Sequence, residues 1–140
     1  MTPERGAGTG PTAFTFSFSD IKGTQDLGIQ NILVNDALDG HRACYLAYAR
    51  DINVLYLVND VGDGLLPGRS LAASGALGNS QCTVSWAAAA VSTSGNTVSL
   101  SLSLAFTAAF RGNRIFYLAS RDLNDSNNSG WQVSGTWMVQ

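Results

Sequence analysis

Lysine, glutamate and histidine are almost missing from this chain of 140 residues. Lys22, Glu4 and His41 are the only ones, and charged residues make up 13% of the sequence, about half the usual share. Lysine and glutamate commonly populate exposed helix faces, so a chain without them is seldom helical. Polarity comes instead from Ser, Thr, Asn, Gly and nine Asp, which is typical of extracellular β-proteins.

The sequence also lacks the features that mark several classes of binding protein. A net charge of −2 with no basic cluster excludes a typical nucleic-acid interface. No apolar run reaches the roughly 18 residues of a membrane helix, so no membrane insertion is expected. Segment 1–11 has no basic region followed by an apolar run, as a signal peptide would. We expect the chain to be one domain of a longer secreted protein.

Residues for catalysis are scarce as well. His41 is the only histidine, so any Ser-His-Asp arrangement must use it. The sequence has no G-x-S-x-G motif, and the nearest match, at 68–72, lacks the second glycine. One histidine and two distant cysteines make no zinc pattern. The protein is therefore predicted not to be an enzyme and to need no cofactor, with Ca²⁺ as the one candidate ion discussed below.

Eight segments alternate in the period of β-strands or form short apolar runs between turn formers. They are 14–18, 27–35, 43–49, 54–58, 81–91, 97–106, 114–120 and 131–139. Residues 86–90 also have helix propensity, so a short helix there is an alternative. Residues 59–79 read as a long irregular segment with a short edge strand or helical turn near Leu65, Leu66 and Leu71. These patterns predict an all-β fold, an antiparallel two-sheet β-sandwich of about eight strands, with residues 1–12 as a flexible leader and 13–140 as a single domain.

A resemblance enters in the last third of the chain. The run SLSLAFTAAFRGNRIFYLASRDLNDSNNSGWQVSGTWMV is similar to the last three strands of immunoglobulin-like and fibronectin-type modules of large bacterial secreted proteins. The resemblance implies an immunoglobulin-like sandwich. It also implies a non-catalytic structural, assembly or adhesion module of a larger secreted or cell-surface bacterial protein, located outside the cell.

Acidic loops suggest a calcium site. Ca²⁺ takes oxygen ligands from irregular loops. In the immunoglobulin-like strand order the three acidic loops, which follow the second, fourth and seventh predicted strands, would meet at one end of the sandwich. The alternative is that Asp and Asn are there as turn formers. The predicted ligands are Asp36, Asp39, Asp60, Asp63, Asp122 and Asp125.

Aromatic residues support an alternative function, carbohydrate binding. Trp86 and Trp137 lie on the apolar faces of predicted strands and are expected in the core. Trp131 borders the polar loop 122–130 and is the one tryptophan expected to be exposed as a platform for a sugar ring. Together with Asn124 and Asn127 it forms the predicted ligand site.

Two further predictions concern partners and the cysteines. The Ser/Thr faces of the first and sixth predicted strands carry no charge to block pairing, so association through strand edges, with copies of the chain or neighbouring modules, is expected. Cys44 and Cys82 are predicted to form a disulfide, the alternative being two buried thiols. In the strict immunoglobulin-like strand order the two cysteines would lie towards opposite ends of the sandwich. A disulfide between them therefore favours an arrangement in which segment 59–79 begins and finishes at the same end.

Overall fold

A computed structural model describes residues 1–124 and 127–140. In this part of the chain there are twelve β-strands and two 3-10 turns, Thr24–Asp26 and Ala108–Phe110. None of its helical segments has the length and apolar character needed to cross a membrane. The strands are β1 (Arg5–Ala7), β2 (Thr12–Ser19), β3 (Leu27–Asn35), β4 (Cys44–Ala49), β5 (Val54–Leu57), β6 (Arg69–Ser70), β7 (Gly75–Gly78), β8 (Cys82–Trp86), β9 (Val91–Ser94), β10 (Thr97–Phe106), β11 (Gly112–Asp122) and β12 (Gln132–Val139).

The strands form two sheets that pack face to face. The larger sheet has the order β1-β12-β11-β3-β4-β5-β6, and the smaller has the order β2-β10-β8-β7, with β9 also pairing with β10. One hydrophobic cluster fills the space between them and takes side chains from both sheets. The predicted two-sheet all-β sandwich is confirmed, but the count of eight strands was wrong, since the described chain has twelve.

The strongest sequence pattern forms the centre of the smaller sheet. In β10, Leu100, Leu102 and the other even-numbered residues are buried, and the serines between them face outward. β2 pairs with β10 in antiparallel register, with Phe16 opposite Leu100, so its three phenylalanines extend the same apolar face. Phe14 reaches the opposite sheet, where its ring lies 5.2 Å from that of Phe116 and 5.0 Å from that of Trp137.

Four strands lie outside the eight predicted ones, and all of them are two to four residues long. β6 and β7 lie within segment 59–79, where a short edge strand or helical turn was expected. The predicted strand 81–91 was wrong in its extent, because β8 ends at Trp86 and a turn at 87–90, where the short helix is not observed, leads into β9. β1 lies in the predicted flexible leader and pairs in parallel with β12. Segments this short carry no measurable period, so only their tertiary pairing makes them strands.

A β-bulge in β12 changes which of its side chains face the core. Phe116 pairs with Gly135, while its neighbour Tyr117 pairs with Val133, so Ser134 is an extra residue on β12. Val133 is consequently 67% exposed, whereas Trp137 is buried. Simple alternation along 131–139 would place both on one face, because it takes no account of the extra residue.

Residues Met1–Gly8, which we call the N-terminal strap, close the sandwich between the edges of β2 and β12. Thr2 exchanges two backbone hydrogen bonds with Thr15 on β2, at 2.9 and 2.8 Å. Further along, β1 pairs with β12, and Trp137 Nε1 donates to the Gly8 carbonyl at 3.0 Å. The approach is close, since a Cβ on Gly6 would lie 2.4 Å from the Trp137 ring. The strap therefore covers part of both edges.

The disulfide prediction is confirmed. Cys44 at the start of β4 bonds to Cys82 at the start of β8, with their Cα atoms 5.7 Å apart, so the bond joins the two sheets. β5 runs towards the end of the sandwich where Cys44 lies, and β6 leads back along β5. The chain then crosses to the smaller sheet, and β7 returns it to the same end. Segment 59–79 thus takes the returning path that the disulfide required.

Removing this bond should destabilise the fold. The variant Cys44→Ala/Cys82→Ala should lose about 3–4 kcal/mol of unfolding free energy, because the disulfide closes a long loop in the unfolded chain. Urea denaturation of the oxidised protein and the variant measures the difference. Ser92→Ala, an exposed change of similar size, is the control. Equal denaturation midpoints for the double variant and the oxidised protein would refute this role for the bond.

Detaching the strap should increase self-association through the uncovered edges of β2 and β12. Gly6→Val places a branched side chain against the Trp137 ring, where there is no room, so the strap should leave the sheet. Arg5→Val adds a similar side chain at the exposed neighbouring position and should keep it in place. Sedimentation velocity should show a larger oligomeric fraction for the Gly6 variant, and equal fractions for both variants would contradict the edge-covering role.

Candidate functional site

The outer face of the larger sheet carries a band of aromatic side chains. Strand register aligns Tyr45 on β4 with Leu33 on β3 and Tyr117 on β11. The next row holds smaller side chains, Asn31 flanked by an alanine on either side. Outward-facing rows of large and small side chains therefore alternate, which produces a depression across the strands.

The depression deepens into a groove where the β11–β12 loop folds against the sheet. The groove has a volume of about 300 Å³. Trp131 is half-buried at its rim, and its ring meets that of Tyr45 edge to face, with the centroids 5.8 Å apart and the planes at 71°. The lining residues are Asn31, Tyr45, Ala119, Ser120, Arg121, Asn128, Gly130 and Trp131.

A set of short-range hydrogen bonds fixes the loop segment that carries Trp131. Ser129 donates its backbone N–H to the Ser120 carbonyl at 2.8 Å, and its hydroxyl accepts the Ser120 N–H at 2.9 Å. Gly130 donates to the Asn128 side-chain oxygen at 3.0 Å. These bonds tie the loop to the end of β11, so Trp131 is presented from an anchored segment.

Tyr45 is also partly removed from solvent. Burial raises the pKa of its phenol, and the positive charge of Arg121 partly offsets that rise. The phenol therefore stays protonated and able to donate a hydrogen bond throughout the physiological pH range. The groove combines two aromatic rings, two side-chain amides, the Tyr45 and Ser120 hydroxyls and one guanidinium, which is a lining suited to a polar organic ligand.

Of the three predicted ligand residues, only Trp131 lines this groove. Asn124 is exposed in the loop. Asn127 is turned away from the groove, and its side-chain amide donates to Asp122 at 2.9 Å. Sequence reasoning missed Tyr45 and Asn31, which reach the groove only through the register of β3 and β4.

The predicted calcium ligands do not converge, because one of the three loops lies at the opposite end of the sandwich from the other two. β11 runs antiparallel to β3, so Asn35 pairs with Ile115 at one end and Leu27 pairs with Asp122 at the other. We call these the lower and the upper end. The loops after β3 and β5 lie at the lower end and the loop after β11 at the upper end, so the expected meeting of all three was wrong. Asp125 lies outside the described residues.

At the lower end the acidic residues have separate local partners. Asp36 lies 3.7 Å from the Arg114 guanidinium. Asp39 accepts the His41 backbone N–H at 2.9 Å, and Asp60 accepts the Ser80 N–H at 3.1 Å. Asp63 accepts a hydrogen bond from the Asn59 amide at 2.9 Å. The Asp39 and Asp63 contacts are those of turn-stabilising side chains, whereas Asp36 and Asp60 contact residues distant in the sequence.

Near the lower end, His41 borders a second cavity of about 240 Å³ beside Asp36, Asp39 and Arg114. The residues described along this cavity include no serine, threonine or cysteine. His41 contributes backbone contacts, since its carbonyl accepts a hydrogen bond from Asn35 at 3.1 Å.

At the upper end, three carboxylates form a cluster that the sequence only partly indicated. One oxygen from each of Asp20, Asp26 and Asp122 lies within 4.8 Å of the others. Asp122 was a predicted ligand, and antiparallel pairing brings it beside the two other residues. In the described part of the chain this is the group whose carboxylates could share a cation. Calcium binding itself stays a prediction.

Burial is the main cause of the raised pKa of Asp26, followed by its hydrogen bond with Asp20 and the charge of Asp122. Lys22, whose ammonium lies 3.9 Å away, acts in the opposite direction. The folded state therefore holds a proton on Asp26 more tightly than the unfolded chain does. The resulting stabilisation is complete below the ordinary pKa of 3.8 and is lost as the pH rises through the folded-state pKa.

Replacing Asp26 should remove this pH dependence. Asp26→Asn should become more stable relative to the unmodified protein as the pH is raised from about 4 to 7, because the variant has no carboxylate to ionise there. Denaturation midpoints across this range measure the difference, with exposed Asp51→Asn as the control. A constant difference would contradict the coupling. Repeating the series in millimolar Ca²⁺ tests the calcium prediction, which requires the unmodified protein alone to gain stability.

Comparison with known proteins adds no further identification. No family model matches the chain, and no curated protein or solved structure shows significant similarity to it.

Proposed function

We propose that the protein is a non-catalytic adhesion and assembly module of a larger secreted or cell-surface bacterial protein. Its ligand is a carbohydrate held in the groove that Trp131 and Tyr45 line. The observation that carries the proposal is the edge-to-face pair of these two rings at the rim of a groove with a polar floor.

The chemistry of the groove favours a sugar over an apolar ligand. An aromatic ring gives an apolar surface for the C–H face of a sugar ring, while its hydroxyls need polar partners. Asn31 supplies both a donor and an acceptor, and the Tyr45 phenol adds a donor. Because the loop that carries Trp131 is already anchored, little conformational entropy is lost when a ligand binds, which favours affinity.

We also propose that the sandwich is immunoglobulin-like, and the strand order supports this. β2, β10 and β8 match the B, E and D strands of such a sandwich, and β3, β11 and β12 match C, F and G. β4 and β5 extend the sheet as C′ and C″ do in the variable-type domain. The disulfide is a departure, since it joins β4 to β8 and not B to F.

An extracellular location agrees with the disulfide, since such bonds persist in oxidising compartments. Assembly through strand edges is the second part of the proposal. The Ser17–Ser99 and Ser19–Thr97 hydroxyl pairs, at 2.9 and 2.6 Å, leave the outer face of the smaller sheet uncharged up to its edge at β2. No charged side chain on β2 itself blocks the approach of another strand.

A glycan array with purified variants tests the carbohydrate proposal. The unmodified protein should bind a restricted set of glycans with micromolar affinity. Trp131→Ala should weaken that binding at least about tenfold, or ~1.4 kcal/mol, because the stacking surface is lost. Tyr56→Ala, which removes a partly exposed tyrosine from the same sheet face outside the groove lining, is the control. Equal loss in both variants, or no glycan bound, would reject the site.

A further inference from the structure

The N-terminal strap ends beside an open groove between the two sheets. The groove lies between β2 and the strands β11 and β12, next to the part of these edges that the strap covers. The groove has a volume of about 230 Å³ and a floor formed by Phe18 and Leu118, both almost fully buried. Its rim is uncharged and consists of Ser17, Ser19, Ala119, Ser120, Ser129, Gln132 and Ser134.

Backbone groups along one wall of this groove point into it. Thr15 directs its N–H and carbonyl towards Thr2, away from β10. Orientation alternates along an antiparallel strand, so Ser17 and Ser19 direct their backbone groups the same way. Among the described residues, the strand pairing of this edge stops at Thr2.

The opposite wall is formed by the part of β12 that β1 does not reach. β1 pairs with β12 only from Thr136 to Met138. Gln132 and Val133 pair with β11, while Gln132 and the bulged Ser134 border the groove. The edges of β2 and β12 therefore face each other across a gap. Nearer the lower end of the sandwich, the strap already fills that gap.

We propose that this groove binds a short extended segment of another polypeptide, which continues the line of the strap. The inference rests on the proposed assembly role and names its edge and its partner. The observed contact of the strap supplies the template: the segment would run antiparallel to β2, as Thr2 does. Main-chain hydrogen bonds to β2 give affinity, as in strand addition to a sheet edge.

The groove also specifies the side chains of the segment. The residue opposite Phe18 faces the apolar floor, so it should be small and apolar. The residues opposite Ser17 and Ser19 face outward and should be hydroxylic or otherwise uncharged. At the upper end the groove meets the carboxylate cluster, since the small cavity beside Asp20 and Asp122 shares Ser19, Ser120 and Ser129 with it. A basic residue at the N-terminal end of the segment suits that charge.

A whole sheet edge from a second copy fits less well. It would meet Thr2 of the strap after only two outward-facing residues, Ser17 and Ser19. A single strand avoids this collision and contacts both sheets. The occupant is therefore a strand-forming tail or linker of a neighbouring chain.

Peptide titration followed by amide chemical shifts tests the proposal. The probe is acetyl-KTVT-amide, in which the lysine reaches the carboxylates, the valine faces Phe18 and the last threonine lies opposite Ser17. Saturable shifts should centre on Ser17, Ser19 and Gln132. N-methylation of the last threonine removes a main-chain donor without altering the protein, and it should weaken binding at least tenfold.

Protein variants complete the design. Ser17→Pro removes the N–H that faces the groove and should abolish binding, whereas Ser17→Val retains it and should bind within twofold of the unmodified protein. The peptide acetyl-ETVT-amide should bind at least threefold more weakly than the probe, and Asp20→Asn should reduce that difference. Tyr45→Ala alters the proposed glycan site and should leave peptide binding unchanged, so the two proposals fail separately.

Three results would overturn the inference. They are the absence of saturable shifts up to the solubility limit of the probe, equal binding of the N-methylated peptide, and shifts that centre away from β2 and β12.

Discussion

The antiparallel pairing of β3 with β11 is the constraint on which the arrangement of the molecule depends. It places Asn35 beside Ile115 and Leu27 beside Asp122, which fixes the two ends of the sandwich. β4 and β12 then add on either side, and their registers follow. The aromatic groove, the carboxylate cluster and the open edge of β12 all take their positions from this one pairing. Packing of Phe116 on β11 against Phe14 and Phe16 orients the smaller sheet over it.

Much of the fold could be predicted because its main strands are long and half-buried. β3 was located with its observed bounds, and β10 showed ten residues of alternation with the predicted face buried. The short strands could not be delimited, because β6 has two residues and β1 has three, and pairing with distant residues creates them. The bulge at Ser134 was also invisible, since an extra residue reverses the facing of a strand without changing its composition.

The candidate site was less predictable than the fold. Trp131 was identified because it borders the polar loop 122–130. Tyr45 was part of a predicted strand, β4. Its place in the groove depends on the register of β4 against β3, which puts it opposite Leu33. The predicted meeting of the acidic loops was wrong for a related reason. The direction assumed for β11 placed the loop that follows it at the wrong end of the sandwich. Asp122 met Asp20 and Asp26, which lie about a hundred residues earlier in the chain.

The parallel pairing of β1 with β12 also has a mechanical meaning. Because the two strands run in the same direction, the chain enters β1 at one end of the pair and leaves β12 at the other. Tension applied across the two ends of the polypeptide would therefore load their hydrogen bonds along the strand axis and all together, not one after another as in an opening zipper. The strap that covers two sheet edges would then also act as a clamp, and rupture of that clamp would set the rate of forced unfolding.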